Sequence, residues 1–298
     1  MKAACVVTLV LASFLGLGAG CATSGDLDDD DGQDDSSDLS TTKDTFLIAR
    51  HDQRRCISPL CGGYWVKDVN STMQERYVSG FDFTGSMLDD TAQQQVTGAP
   101  DFELVLEGRL GPKENQFDTR PLRVIAAYRG MPGSSFASTA KFYAVSPTKI
   151  ACVTQPCANL QTTRLNRTTG HAMATDVTVA DAVATLVDEQ WLHDLVLSSH
   201  AVVAGTIVRS NHHVTVVAQQ VFVQLGHEPP CPLLPVHSCP NGEIRAFERN
   251  GRCITPAGCT APGVCAPLDP ICDAGYTLVS WQNVCPRYVC EPEFLTAN

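Results

Sequence analysis

Residues 46–70 read FLIARHDQRRCISPLCGGYWVKDVN, and residues 142–166 read FYAVSPTKIACVTQPCANLQTTRLN. In each, a phenylalanine (Phe46, Phe142) stands ten residues before a cysteine, a Cys-x4-Cys pair follows, and an asparagine (Asn70, Asn166) lies nine residues beyond the second cysteine. The offset between the two stretches is 96 residues with no gap. Self-similarity at a fixed spacing decides how the rest of a chain is read, so it comes before local structure. The correspondence continues more weakly. Phe81-Asp82-Phe83 falls on Val177-Thr178-Val179, Leu106 to Leu110 on Val203 to Ile207 after one insertion, and Leu122 to Tyr128 on Val214 to Gln220. Matches that recur in order point to a duplication.

Each copy reads as mixed α and β. Phe46 to Arg50 and Tyr64 to Val69 are strand-like runs around the cysteine loop, and Tyr77 to Phe83 alternates apolar and polar residues as a half-buried strand does. Val183, Leu186, Val187 and Trp191 recur at helical spacing, with Asp181 and Asp188 on the polar side. Met87 to Val96 is the shorter equivalent in the first copy. Ala201 to Val208 and His213 to Leu225 read as a strand pair turned by Arg209, Ser210, Asn211 and His212. The expected fold is therefore α+β: two tandem related copies, 44–133 and 134–226, each a small antiparallel sheet with one helix.

Past Gly226 proline and cysteine become dense and the long apolar runs stop. Cys231, Cys239, Cys253 and Cys259, then Cys265, Cys272, Cys285 and Cys290, form two groups of four in units 227–262 and 263–298. Units this small bury too little apolar surface to fold unaided. Disulfides would compensate, each contributing on the order of 2–4 kcal/mol. The expectation is a disulfide-rich, mostly irregular C-terminal region; four cysteines allow three connectivities per unit, and the spacing does not choose.

The amino terminus is laid out as an export signal at 1–20. Lys2 is positive, Val6 to Leu17 are largely apolar, and Leu17-Gly18-Ala19-Gly20-Cys21 resembles the bacterial lipobox, in which the signal is cut before a lipid-bearing cysteine. Gly18 stands where that motif prefers leucine. An ordinary cleavage nearby is the alternative. The apolar run is shorter than the roughly 20 residues that span a bilayer. Ala22, rather than aspartate, follows Cys21, which favours the outer membrane, with plain secretion as the other outcome. Residues 21–43 carry eight aspartates between Asp26 and Asp38. Like charges keep such a stretch extended, so it reads as a spacer rather than a calcium loop, whose spacing it lacks.

Charge and cysteine count fit this layout. The formal net charge is −11, and removing those eight aspartates leaves −3, so no basic footprint for nucleic acid is visible. Of the fourteen cysteines, Cys5 leaves with the signal and Cys21 takes the lipid, which leaves an even twelve for an oxidising compartment. Cys56 with Cys61 and Cys152 with Cys157 suit small disulfide loops, helped by Pro59 and Pro156. Cross-pairing between copies, or one zinc held by all four, are the alternatives.

The segment RRCISPLCGGYWVKDVN resembles the opening motif of an uncharacterised domain family in exported proteins of myxobacteria-like bacteria, over about residues 44–225. That family carries no established activity to transfer. The tail resembles the small Cys-rich modules of antistasin-type and trypsin-inhibitor-like proteins, with fewer cysteines per unit. That resemblance implies a disulfide-held loop that occupies a protease cleft, with Arg252 beside Cys253 and Arg287 near Cys285 as the basic residues to test.

Catalytic signals are sparse. His212 and His213 fall in a turn, and His193 and His200 flank a helix-to-strand loop. No His-x3-His, His-Glu-x2-His or Gly-x-Ser-x-Gly pattern occurs. Asp89-Asp90 and Asp188-Glu189 read as solvated helix faces. The sequence thus points to a cell-envelope lipoprotein with no catalytic residues, metal or cofactor, acting as a binding or structural surface protein. Its partners would be the membrane, through Cys21, and envelope or extracellular proteins. A protease inhibitor acting through the tail and an envelope hydrolase with an unrecognised site are the rival readings.

Overall fold

A computed structural model of the chain describes residues 43–113, 119–153, 156–211, 213–227, 231–235, 237–268 and 270–296. The export signal, Cys21, the aspartate run and His212 lie outside the described residues.

The first half contains β1 (Thr45–His51), β2 (Tyr64–Asp68), β3 (Arg76–Val78), β4 (Phe81–Asp82), α1 (Asp90–Thr97), β5 (Leu104–Leu110) and β6 (Leu122–Gly130). The second contains β7 (Lys141–Pro147), β8 (Leu160–Arg164), β9 (His171–Ala174), β10 (Asp176–Thr178), a 3-10 turn (Ala180–Ala182), α2 (Glu189–Leu197), β11 (Ala201–Ser210) and β12 (His213–Gln224). The tail contributes β13 (Ile244–Asn250), β14 (Cys253–Thr260), β15 (Tyr276–Gln282), β16 (Pro286–Pro292) and the short α3 (Glu293–Thr296).

Two separate small sheets do not form. The halves share one twelve-stranded sheet in the order β3-β2-β1-β5-β6-β12-β11-β7-β8-β9, with β4 beside β6 and β10 beside β12. Strands hold 44% of the chain and helices 9%, so the protein is mostly β, and the expected α+β class is overturned. The physical reason lies at the seam. β6 and β12 are long and apolar, and as free edges each would present unpaired backbone groups. They pair instead with one another, antiparallel, through Phe222 with Gly130, Val223 with Arg129 and Gln224 with Tyr128.

The strand order is mirrored about that seam. β4 and β10 both lie parallel to their neighbours, Phe81 against Leu122 and Asp176 against Thr215. Both halves break register at the same place, between Glu107 and Gly108 on β5 and between Ala204 and Gly205 on β11. A Cβ on Gly108 would stand 2.4 Å from the Arg123 carbonyl oxygen, and one on Gly205 2.1 Å from that of Val217, so only glycine fits either bulge. Leu110 pairs with Leu122 and Ile207 with Val216. Leu122 therefore corresponds to Val216, two residues beyond the position that sequence matching gives.

The expected helix of the second half begins late. Leu186 has φ 67, which breaks the apolar spacing that starts at Val183. α2 starts at Glu189, and the Asp188 side chain accepts from the Trp191 N–H as its N-cap. Asp89 caps α1 in the same way through Ala92. Both aspartates thus cap helices rather than decorate their polar faces.

The sheet curls until one face of its six central strands packs on itself. Ile48, Val105, Ala126, Tyr128, Phe142, Val202, Ala204 and Phe222 form this core, with Val69 and Leu165 buried against it. On the opposite face, α1 brings Ala92 and Val96 against Leu47, Leu106 and Val124, and α2 brings Leu192 and Val196 against Val145, Val203 and Val216. Each fully buried aliphatic side chain contributes about 1.5–3 kcal/mol. The fold is therefore held mainly from these three clusters.

The tail is not irregular. β13 with β14 and β15 with β16 make two antiparallel hairpins. In both, the first cysteine of the group bonds the third and the second bonds the fourth: Cys231–Cys253, Cys239–Cys259, Cys265–Cys285 and Cys272–Cys290. The second hairpin is built into the body. Tyr276 and Cys290 join the core under α2, and Phe294 joins the one under α1. Tyr276 Oη donates to the Pro132 carbonyl at 3.0 Å, and the Cys290 N–H to that of Leu186 at 2.9 Å.

Candidate functional site

The chain leaves β1 into Asp52, whose carboxylate is buried and accepts from several directions at once. Arg54 donates through its backbone N–H at 3.1 Å and through Nε and Nη2 at 2.9 Å each. Trp65 Nε1 donates at 3.1 Å and the Gly62 N–H at 3.3 Å. Arg54 above all, then the Trp65 indole, hold this carboxyl far below the usual carboxylate range.

Cross-strand pairing gathers the neighbours. Arg50 stands opposite Trp65, and Trp65 opposite Tyr77, which puts all three on one face. The Arg54 guanidinium lies 4.8 Å from the Trp65 ring centre and 5.0 Å from that of Tyr77, and Arg50 lies 5.7 Å from Trp65. Arg50 is fixed in turn by a forked pair with Glu75. Exposed cation–π and ion pairs each add only about 0.5–1 kcal/mol. Their main effect is to set position.

What they position is the loop closed by Cys56–Cys61. Tyr77 Oη donates to the Pro59 carbonyl at 2.8 Å, and Arg54 Nη2 to the Leu60 carbonyl at 3.0 Å. With its base bonded to Asp52 through Gly62, the loop is held at both ends and in the middle. Its outer side is apolar: Ile57 is 82% and Leu60 43% exposed.

The second loop, closed by Cys152–Cys157, stands at the mirrored place without this clamp. Ser146, Thr148, Ile150, Gln161 and Met173 occupy the positions of Arg50, Asp52, Arg54, Trp65 and Tyr77. Ser146 pairs with Gln161, and Gln161 with Met173, as their counterparts do. Among the described residues the clamp is confined to the first half.

The other sequence-derived candidates settle as follows. All twelve cysteines from Cys56 to Cys290 are paired, with no bond between the two halves, so the Cys-x4-Cys sulfurs do not gather around a zinc ion. His200 stacks on His227 and lies 2.9 Å from Gln224 Oε1. Arg252 does not project as a cleft-filling residue. Its Nε and Nη2 meet Glu291 at 3.0 and 2.9 Å, and it donates to the Leu295 carbonyl. Arg249 meets the other Glu291 oxygen at 2.6 Å and the α2 cap Asp188 at 3.3 Å. These four side chains join the first hairpin, the second hairpin and the body. Arg287 is exposed on β16, opposite Trp281. Sequence reasoning passed over Asp52, Arg54, Trp65 and Tyr77; the alternation of large polar and aromatic residues beside Cys56 and Cys61 was the available signal.

Fold and site together define a mostly β, disulfide-stapled protein that displays a clamped loop. Six disulfides suit a secreted or extracellular protein. Among the described residues no helix is long and apolar enough to cross a membrane. Residues 45–228 match the family described as a domain of unknown function (DUF6748), and the chain belongs to that family. It is 26% identical over 252 residues to an uncharacterized protein of Dictyostelium discoideum, which covers 81% of this chain and 84% of that protein. No solved structure matches.

Proposed function

We propose that this chain is a non-catalytic binding or structural protein of the cell envelope, held by lipid at Cys21, spaced from the membrane by residues 21–43, and contacting its partner through the first disulfide loop. The observation that carries the reading is the buried Asp52, which fixes Arg54 and Trp65 beneath an exposed Ile57 and Leu60. A rigid loop loses little entropy on binding, so its apolar tip converts efficiently into affinity. Asp52 is committed to Arg54 and Glu75 to Arg50 in ion pairs, which suits positioning rather than proton transfer. The second hairpin and α3 pack into the body, so the tail stiffens the scaffold.

The experiment is capture from the native envelope with the mature chain, beside a Cys21→Ala form expressed in the same cells. The reading expects a protein partner retained by the mature chain, and release of the Cys21→Ala form from the membrane fraction. Equal membrane association of both forms would contradict the anchor, and capture of nothing above a bare matrix would contradict the binding role.

A further inference from the structure

Four charges line up across the first half, three on neighbouring strands and one, Asp44, just before β1. Arg109 on β5 is directly opposite Arg123 on β6, and Asp82 on β4 is directly opposite Arg123 on its other side. Asp44, which enters β1, approaches Arg109 from the remaining side at 3.7 Å. The row reads minus, plus, plus, minus, with the two arginines adjacent at its centre. Like charges directly opposite one another in an antiparallel pair are destabilising.

The fold does not require this arrangement. On the mirrored rung Thr206 is opposite Val217, and Thr178 is opposite Val217 from the parallel strand. The same ladders and the same bulge are built there without charge, so the backbone arrangement does not depend on the arginine pair.

The flanking carboxylates engage the arginines loosely. The Asp44–Arg109 approach of 3.7 Å exceeds hydrogen-bond reach, and Arg123 Nε to Asp82 is long at 3.4 Å. Asp82 is held below its ordinary range mainly by Thr84, with Arg123 a lesser cause. Both guanidinium groups therefore keep donors in hand. They line a surface cavity of about 290 Å³ together with Leu110, Gly111 and Pro112. Arg120 Nη1 donates to the carbonyl of the wall residue Gly111 at 3.3 Å, which holds that stretch of the wall in place. Glu107, next along the same face, is pushed upward by burial, which weakens its opposition to an anion.

We propose that Arg109 and Arg123 form a binding site for a small oxyanion, seated between the two guanidinium planes at this cavity. Planar, forked donors match phosphate and carboxylate oxygens two at a time, and an anion between them turns the like-charge contact into a favourable one. Two sources offer this chemistry: a free oxyanion such as phosphate, and the chain's own aspartates, the last of which, Asp38, precedes Asp44 by six residues.

The test is titration of the full mature chain with inorganic phosphate at fixed ionic strength, followed by calorimetry. Four other chains are compared with it: Arg109→Gln, Arg123→Gln, Arg109→Lys, and a form in which the eight aspartates from Asp26 to Asp38 are serine. Both arginines are more than a third exposed, and thermal melting confirms that each variant folds. The expected result is saturable one-to-one binding at millimolar phosphate or tighter, weakened about tenfold by either glutamine substitution and partly restored by Arg109→Lys. If the aspartate run competes, the serine form binds phosphate several-fold tighter; if the source is free anion, its affinity is unchanged. No saturable binding below about 10 mM in either the mature or the serine chain, or binding indifferent to both glutamine substitutions, would overturn the proposal.

Discussion

Asn70 and Asn166 each bind the half of the sheet to which they do not belong, and they do so identically. Asn70 Nδ2 donates to the carbonyls of Phe142 and Leu165 at 2.8 and 3.0 Å, and its Oδ1 accepts from the Phe142 N–H at 2.8 Å. Asn166 Nδ2 donates to the carbonyls of Phe46 and Val69 at 2.7 and 3.2 Å, and its Oδ1 accepts from the Phe46 N–H at 2.8 Å. Both residues have φ 59, a conformation that asparagine tolerates better than most residues. β1 and β7 lie far apart in the strand order, so these six bonds tie the two sides of the curled sheet together beside the apolar core they share.

Asn70→Ala or Asn166→Ala should therefore lower stability by roughly 2–3 kcal/mol, because partly buried backbone groups of Phe46 or Phe142 lose their partners and alanine is strained at positive φ. Urea unfolding measures this. A loss under about 0.5 kcal/mol in both variants would show that the asparagines follow the closure rather than cause it.

Non-reducing peptide mapping should find the first-to-third and second-to-fourth pairing in both tail units, and no link between Cys56 or Cys61 and Cys152 or Cys157. The first hairpin buries Ala246 alone among its apolar side chains. Replacing Cys239 and Cys259 by serine should cost about 2–4 kcal/mol and expose the Ile244–Thr260 segment to protease.

Glu291 and Arg249 are 7% and 6% exposed, and Glu291 serves Arg252 as well. Glu291→Ala takes from Arg252 its carboxylate and leaves Arg249 only the longer contact to Asp188, which should cost roughly 3–5 kcal/mol and loosen both hairpins together. Glu291→Gln should cost less. An alanine effect under about 1 kcal/mol in thermal unfolding would contradict the junction.

Much of this architecture was legible locally. Phe46 to Arg50, Tyr64 to Val69 and the β11–β12 hairpin announce themselves by alternation and turn residues, and Cys56 and Cys61 pair across a short loop. The single sheet was not legible, because the β6–β12 seam joins residues nearly a hundred apart and neither strand states its partner. Leu186 shows the limit of periodicity: its apolar character suited a helix, but a positive φ there and the cap at Asp188 moved the start. The tail hairpins were hidden because their strands alternate weakly and disulfides replace a core. The charged row at Arg109 and Arg123 becomes visible only once register is known.

Acid should weaken the clamp in a defined way. Asp52 in the folded chain lies below its ordinary value, so the folded form binds fewer protons than the unfolded one as pH falls through the carboxylate range. The stability it lends is present above that range and is lost below it. Asp52→Asn should flatten the acid limb of a plot of urea midpoint against pH, and an unchanged limb would contradict the assignment.

The most direct measurement of the central claim compares the two disulfide loops in one assay. Ile57→Ser with Leu60→Ser strips the apolar tip of the first loop, and Ile150→Ser with Val153→Ser does the same to the exposed residues of the second. Envelope capture is then quantified for both double variants against the mature chain. The account expects the first pair to abolish capture of the partner and the second to leave it unchanged. Capture that survives loss of Ile57 and Leu60, or that depends on Ile150 and Val153 instead, would contradict it.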